Sequence, residues 1–317
     1  MKVLVTGAAG FIGSHVAERL AARGDTVIGL DNFDPFYDRR TKEQNLVAAG
    51  PLASFVEGDI LDESLVDRLL SEHRFDVVVH LAALAGVRPS LARPARYQRV
   101  NVEGTTIVAE ACIQHGVSRL VFASSSSVYG GNTKVPFEET DRVDAPVSPY
   151  AASKRAGELV LSALHHTSGL SVTALRYFTV YGPRQRPEMA IHAFCRAIDR
   201  GETITMFGGG ESSRDYTYVD DVVHGTIAAV DRDSKAFSIY NLGGHRTTRL
   251  DALVAIIAAE LGKEARVLRG PEMPGDVPLT FASVTAAGAD LGYAPKTSIE
   301  EGVARFVEWY RKHRGAT

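Results

Sequence analysis

The stretch VLVTGAAGFIGSHVAERLAARG (3–24) decides the fold. Its first five residues are an apolar β-rich run. Three glycines follow at a three-residue spacing, Gly7, Gly10 and Gly13, and then a helical pattern runs from Phe11 through FIGSHVAERLAARG. A strand, a glycine turn and a helix in that order make the opening of a βαβ unit. The spacing GxxGxxG is a variant of the dinucleotide fingerprint. Glycines permit a tight turn and let backbone N–H groups approach a pyrophosphate at the helix N-terminus. Phe11 and Ile12 lie within the same turn and are expected at the cofactor.

Working outward, the same rhythm repeats. TVIGLD (26–31), ASFVEGD (53–59), FDVVVHLAA (75–83), SRLVFASS (118–125) and LSVTALRY (170–177) read as strands, with helices expected over 95–115 and 150–168. The Val/Ile/Leu runs are continuous rather than alternating. That marks strands buried on both faces, as in a parallel sheet covered by helices. The expected class is α/β, a doubly wound parallel sheet. After Gly182 the segments shorten and Gly and Pro become frequent, with helices expected over 189–200, 219–231, 249–262 and 299–313. The expected organisation is therefore a dinucleotide-binding Rossmann domain over 1–182. A smaller α/β substrate domain follows over 183–317, with some segments returning to the first.

The totals narrow the function. The chain has 317 residues, 45% of them hydrophobic, enough for a large core. A net charge of −3 does not point to nucleic acid or an anionic membrane. No apolar run approaches the length of a membrane-spanning helix. MKVLVTGAAG does not have the layout of a secretory signal. Cys112 and Cys195 lack metal or redox spacing and read as buried thiols. A reducing cytoplasm is the expected compartment. The ten histidines form no HxxxH or His/Asp ligand pattern, so no metal is expected.

Asp31 ends the second strand, where an acid accepts hydrogen bonds from ribose hydroxyls and repels the 2′-phosphate of NADP; NAD is the expected cofactor. Asn32 follows it. Asp59, with Ile60, either meets the adenine edge or caps the helix that begins near Asp62. Leu81, Ala82 and Ala83 follow the fourth strand, where small residues let the backbone pass close to a dinucleotide. Farther along, PYAASK (149–154) sets Tyr150 and Lys154 one helical turn apart, on one face. Ser125 ends the strand that leads into FASSSSVYG (122–130).

TGAAGFIGSH, SSSSVYG, YAASK, RYFTVYGPRQRP and SRDYTYVDD together resemble the extended short-chain dehydrogenase/reductase family. Within it the chain is most similar to the nucleotide-sugar 4-epimerases, especially bacterial UDP-glucuronate 4-epimerases. The resemblance spans nearly the whole chain. It implies a catalytic set Ser125, Tyr150 and Lys154, tightly held NAD, a UDP-sugar site in the C-terminal part and a homodimer. The dimer contact would use the helices over 95–115 and 150–168; the same apolar faces also suit packing within the domain. The chemistry agrees with the implied roles. A tyrosine titrates near 10, and a cation within about 4–6 Å lowers it, so Lys154 is expected to help Tyr150 act as a base. Ser125 is expected to bond the sugar's C4 oxygen and steady a 4-keto intermediate.

Related dehydratases and decarboxylases carry acids beside VYG, where this chain has Ser126 and Ser127. That favours simple epimerisation, and hydroxyls suit a carboxylated sugar. Thr179 stands where glucose-type epimerases have Asn. Arg88, Arg184 and Arg186 suit a uronate or a diphosphate through forked hydrogen bonds, or make surface pairs. Arg214 is the diphosphate candidate, and Asp276 is read as either a uridine-ribose contact or a loop residue. The expected reaction is C4 epimerisation of UDP-glucuronate to UDP-galacturonate. The nearest rival is the same reaction on UDP-glucose or UDP-N-acetylglucosamine. From a different class, a non-catalytic NAD-binding regulator is the remote alternative.

Overall fold

The structure is a computed structural model and describes residues 1–271 and 277–313. Seven parallel strands form its central sheet, in the spatial order Phe237–Leu242, Ser171–Tyr177, Arg119–Ser125, Val77–His80, Lys2–Thr6, Thr26–Asp31, Ser54–Glu57. The first strand pairs with the second on one side (Val3 beside Val27) and with the fourth on the other (Val3 beside Val77). The direction of winding reverses there, so a crevice opens at the strands' carboxyl ends.

Alternate residues of each strand feed two apolar layers. Val3, Val5, Val77, Val79 and Leu175 pack with Val16 and Leu20 of helix Phe11–Ala22 and with Val222 of helix Val219–Asp231. Leu4, Ile28, Val78, Leu120 and Val172 face the other way, onto Leu70, Val108 and Leu161. Cys195 lies in the first layer and Cys112 in the second, both free thiols. Burial on both faces is what the unbroken valine runs require.

Several elements differ from the sequence reading, among them the helices Val87–Ala92 and Thr285–Leu291, which it did not expect. The helix expected over 95–115 is a rod in three parts, Pro94–Gln98, a π-helical turn Arg99–Glu103, and Gly104–Gln114. An additional helix, Arg39–Ala49, lies beyond the second strand. In the later part of the chain, short strands pair across long separations: Thr203–Met206 with Arg266–Arg269, Tyr216–Tyr218 with Thr179–Tyr181, and Ser213–Arg214 with Thr248–Arg249. The strand Phe237–Leu242 joins the edge of the main sheet beside Ser171–Tyr177. No helix among the described residues is long and apolar enough to cross a membrane.

Candidate active site

A cleft of about 380 Å³ runs along the carboxyl ends of the strands. At one end lies the glycine turn. Gly7 has φ 72°, and a Cβ there would meet the Ala82 nitrogen at 2.8 Å. A Cβ on Gly13 would lie 2.0 Å from the Gly7 carbonyl oxygen. Gly10 caps the helix Phe11–Ala22 with no side-chain bond, so the N–H groups of the first turn are not taken by a cap. Phe11, Ile12 and Gly13 line the cleft, as do Leu81, Ala82 and Ala83 on the neighbouring strand end.

Asp31 sits deeper along the wall. Its carboxylate accepts from Ala9 N at 3.1 Å and Phe33 N at 2.8 Å, and Lys42 Nζ lies 3.9 Å away. Burial raises its pKa, and the Lys42 charge with the two backbone bonds works against that. Asn32 donates to Asp59 Oδ2 at 2.9 Å, and Asp59 Oδ1 accepts from Leu61 N. The helix Glu63–His73 is capped by Asp62, whose side chain accepts from Leu65 N. Asp59 is thus free of that duty and lines the cleft beside Ile60.

Lys42, Asp34, Phe36 and Tyr37 also line this end, and the sequence reading missed them. The signal was weak: they sit in the polar run DNFDPFYDRRTKEQN (31–45), with no apolar period. Asp34 Oδ1 and Tyr37 Oη are buried without a protein partner. Buried polar atoms normally find one. With the glycine cradle and Asp31, these unmatched atoms give a polar dinucleotide such as NAD donors and acceptors to meet.

At the other end of the cleft the strand Arg119–Ser125 meets the helix Pro149–Ser168. Ser148 caps that helix, accepting from Ala151 N at 3.1 Å, with Pro149 in the first turn. Tyr150 and Lys154 then point into the cleft from one face. Ser125 faces the Tyr150 phenol, lowering its pKa, and accepts from Ser127 N at 3.1 Å, closing the short turn Ser126–Tyr129. Lys154 Nζ donates to the Ala123 carbonyl at 2.7 Å. Burial lowers its pKa to about 7, against the pull of Glu158. Burial also holds the Tyr150 phenol above its ordinary value, opposed by Ser125 and the Arg186 charge. The expected lowering by Lys154 is therefore corrected: the protein's own charges do not depress this phenol, because burial outweighs them.

Ser126, Ser127, Thr179 and Arg186 line the cleft near this pair. Arg186 stacks over Phe36 at 5.3 Å and pairs with Glu188 at 3.2 Å. Three other arginines stand elsewhere. Arg184 takes the surface-pair alternative: its guanidinium donates to Glu18 at 2.6 Å and to Ala48 O at 3.3 Å, fastening the loop to the helix Phe11–Ala22. Arg88 stacks over Phe207 at 5.1 Å, and Arg214 donates to the Ser213 carbonyl at 3.1 Å; neither is on the cleft wall formed by the described residues. Asp276 lies outside the described residues.

This arrangement can hold a dinucleotide with its reacting end beside a phenol, an ammonium and several hydroxyls. Known proteins resemble the chain over nearly its whole length. UDP-glucuronate 4-epimerase 2 of Arabidopsis thaliana is 43% identical over 98% of this chain and 76% of its own length. A crystal structure of UDP-glucuronic acid 4-epimerase from Bacillus cereus, in complex with UDP-glucuronic acid and NAD, superposes with TM-score 0.92 at 33% identity, covering 98% of this chain and 99% of that one. A UDP-glucose 4-epimerase from Thermotoga maritima, with UDP-glucose, gives TM-score 0.91 at 38% identity, covering 99% and 100%. The model of the NAD dependent epimerase/dehydratase family matches residues 3–243, and the chain belongs to that family.

Proposed function

We propose that the chain is an NAD-dependent UDP-sugar 4-epimerase acting on UDP-glucuronate and UDP-galacturonate. One observation carries this reading: a single cleft joins the glycine cradle to Ser125, Tyr150 and Lys154, with hydroxyls, not carboxylates, at Ser126 and Ser127. Without an acid there, a 4-keto sugar has no side chain at that position to drive elimination across C5 and C6. NAD, when bound, supplies the hydride acceptor and donor for the sugar's C4.

The chain's own residues handle the proton. Tyr150 takes it from the C4 hydroxyl and later returns it, with Ser125 bonded to the same oxygen. The positive charge of Arg186 favours the phenolate, working against burial. Ser126, Ser127 and Thr179 offer donors to a C6 carboxylate, and Arg186 offers a charged fork that Glu188 now holds. In this reading residues 1–182 hold the cofactor and 183–317 hold most of the nucleotide sugar, with Arg88, Arg214 and Asp276 toward the diphosphate and uridine.

We also place the chain in the cytoplasm as a homodimer. Buried free thiols suit a reducing compartment. The helix Pro149–Ser168 leaves Leu159 54% exposed, which suits a helix-on-helix contact with a second copy.

The test is a panel of UDP-glucuronate, UDP-glucose, UDP-N-acetylglucosamine and dTDP-glucose, incubated without added NAD and followed by NMR. UDP-galacturonate should appear fastest. Faster turnover of UDP-glucose would overturn the carboxylate reading, and no C4 inversion in any arm would overturn the epimerase.

A further inference from the structure

Behind the reacting pair lies a buried charge that the mechanism above does not use. Glu158 follows Lys154 by one helical turn and is 1% exposed. Its Oε1 accepts from Ser124 Oγ at 2.6 Å and Arg176 Nε at 2.9 Å. Its Oε2 accepts from Arg176 Nη2 at 2.9 Å and Arg155 Nη1 at 3.1 Å. Arg176 in turn donates to Tyr129 Oη at 3.0 Å, and Tyr129 donates to Asn241 Oδ1 at 2.7 Å.

We infer that Glu158 is a positioning residue for the reaction: it keeps Lys154 an ammonium and fixes the end of the strand that holds both Lys154 and Tyr150. This rests on Tyr150 and Lys154 being the reacting pair. The geometry argues for it in two ways. Ser124, the residue Glu158 grips, stands between Ala123 and Ser125. The Ala123 carbonyl accepts from Lys154 Nζ at 2.7 Å, and Ser125 faces the phenol and lowers its pKa. One carboxylate therefore sets the strand end that carries both contacts.

The second argument is charge. Lys154 meets Tyr150 and Glu158 from its own helix. From the strand Arg119–Ser125 it meets the Ala123 carbonyl at 2.7 Å and the Phe122 ring at 5.2 Å. The strand Val77–His80 presents His80, which burial lowers to about 3 and so keeps neutral. The strand Ser171–Tyr177 presents Arg176, already bound to Glu158, and Tyr177, whose phenol burial holds in the neutral form. Glu158 is the one anion in this set that favours the ammonium, and burial works against it.

Glu158→Gln keeps the shape and removes the charge. With NAD content checked by chromatography, the alkaline limb of its kcat profile should move to lower pH by roughly 1 unit. Glu158→Asp should keep the limb near its original place. Ser124→Ala leaves the carboxylate and should leave the limb unmoved while kcat falls by roughly tenfold. A Glu158→Gln profile that falls equally at every pH would overturn the inference. Should that variant not fold, Ser124→Ala decides, and full kcat there overturns it. Tyr150→Phe is the control: abolished turnover upholds the reacting pair, whereas retained turnover removes the pair and this inference with it.

Discussion

Asp31 shows how one side chain combines two duties. It closes the loop after its strand by accepting from Phe33 N at 2.8 Å, and it presents charge at the cleft wall. Lys42, 3.9 Å away, keeps that charge from being costly. The pair also sets a selectivity. The carboxylate repels a 2′-phosphate, while the ammonium attracts one. Removing it should let the ammonium act alone. Asp31→Ala is expected to retain less NAD and to carry NADP in measurable proportion. Chromatography of the nucleotide released on denaturation reads this directly, and an unchanged, all-NAD content would refute it.

At the scale of elements, the glycine turn works because strand, turn and helix close on one another without side chains. The added methyl of Gly13→Ala would lie 2.0 Å from the Gly7 oxygen, so the helix Phe11–Ala22 must shift. Overpacking of this kind costs about 1–3 kcal/mol. The variant is expected to unfold at a lower urea midpoint and to purify without bound nucleotide, as absorbance and chromatography would show. This turn and the strands around it were legible because their pattern is local: glycines at fixed spacing, then apolar runs. The helix Arg39–Ala49 was not. Its buried residues are Thr41, Lys42, Asn45 and Ala49, so the helical period is there but written in polar side chains. They face backbone and charge, with Asn45 donating to the Ala9 carbonyl at 3.1 Å. A hydrophobicity pattern cannot find such a helix. Arg184 stayed open for a related reason: its charge is visible in sequence, but its partner Glu18 lies 166 residues earlier. The π turn at Arg99–Glu103 leaves no mark in composition either, and neither do strand pairs such as Thr203–Met206 with Arg266–Arg269.

The later chain returns onto the first sheet, and one of these returns passes through a neutral histidine. His15, on the helix Phe11–Ala22, bonds the Pro183 carbonyl at 3.0 Å, just beside Arg184. Burial and then the Arg184 charge lower its pKa to about 4, from 6.5. His80 joins Thr6 to Thr105 at 2.8 and 3.0 Å, and burial lowers it to about 3. For both, the folded value lies below the unfolded one. Their contribution is complete above pH 6.5 and is lost as pH falls toward the folded value. Asp215 works the opposite way. Burial raises it to about 6, so its contribution is complete below the unfolded value of 3.8 and is lost as pH rises through 6. Acidification to pH 5 therefore costs about 2 kcal/mol for each of the two histidines, and Asp215 offsets about 1 kcal/mol. His15→Gln keeps an amide donor for Pro183 without a titrating ring. Between pH 7.5 and 5, unfolding free energies from urea titration should fall less in this variant than in the parent, by about 2 kcal/mol. Parallel pH slopes for the two proteins would mean that His15 is not the neutral link between the first helix and the loop after Gly182.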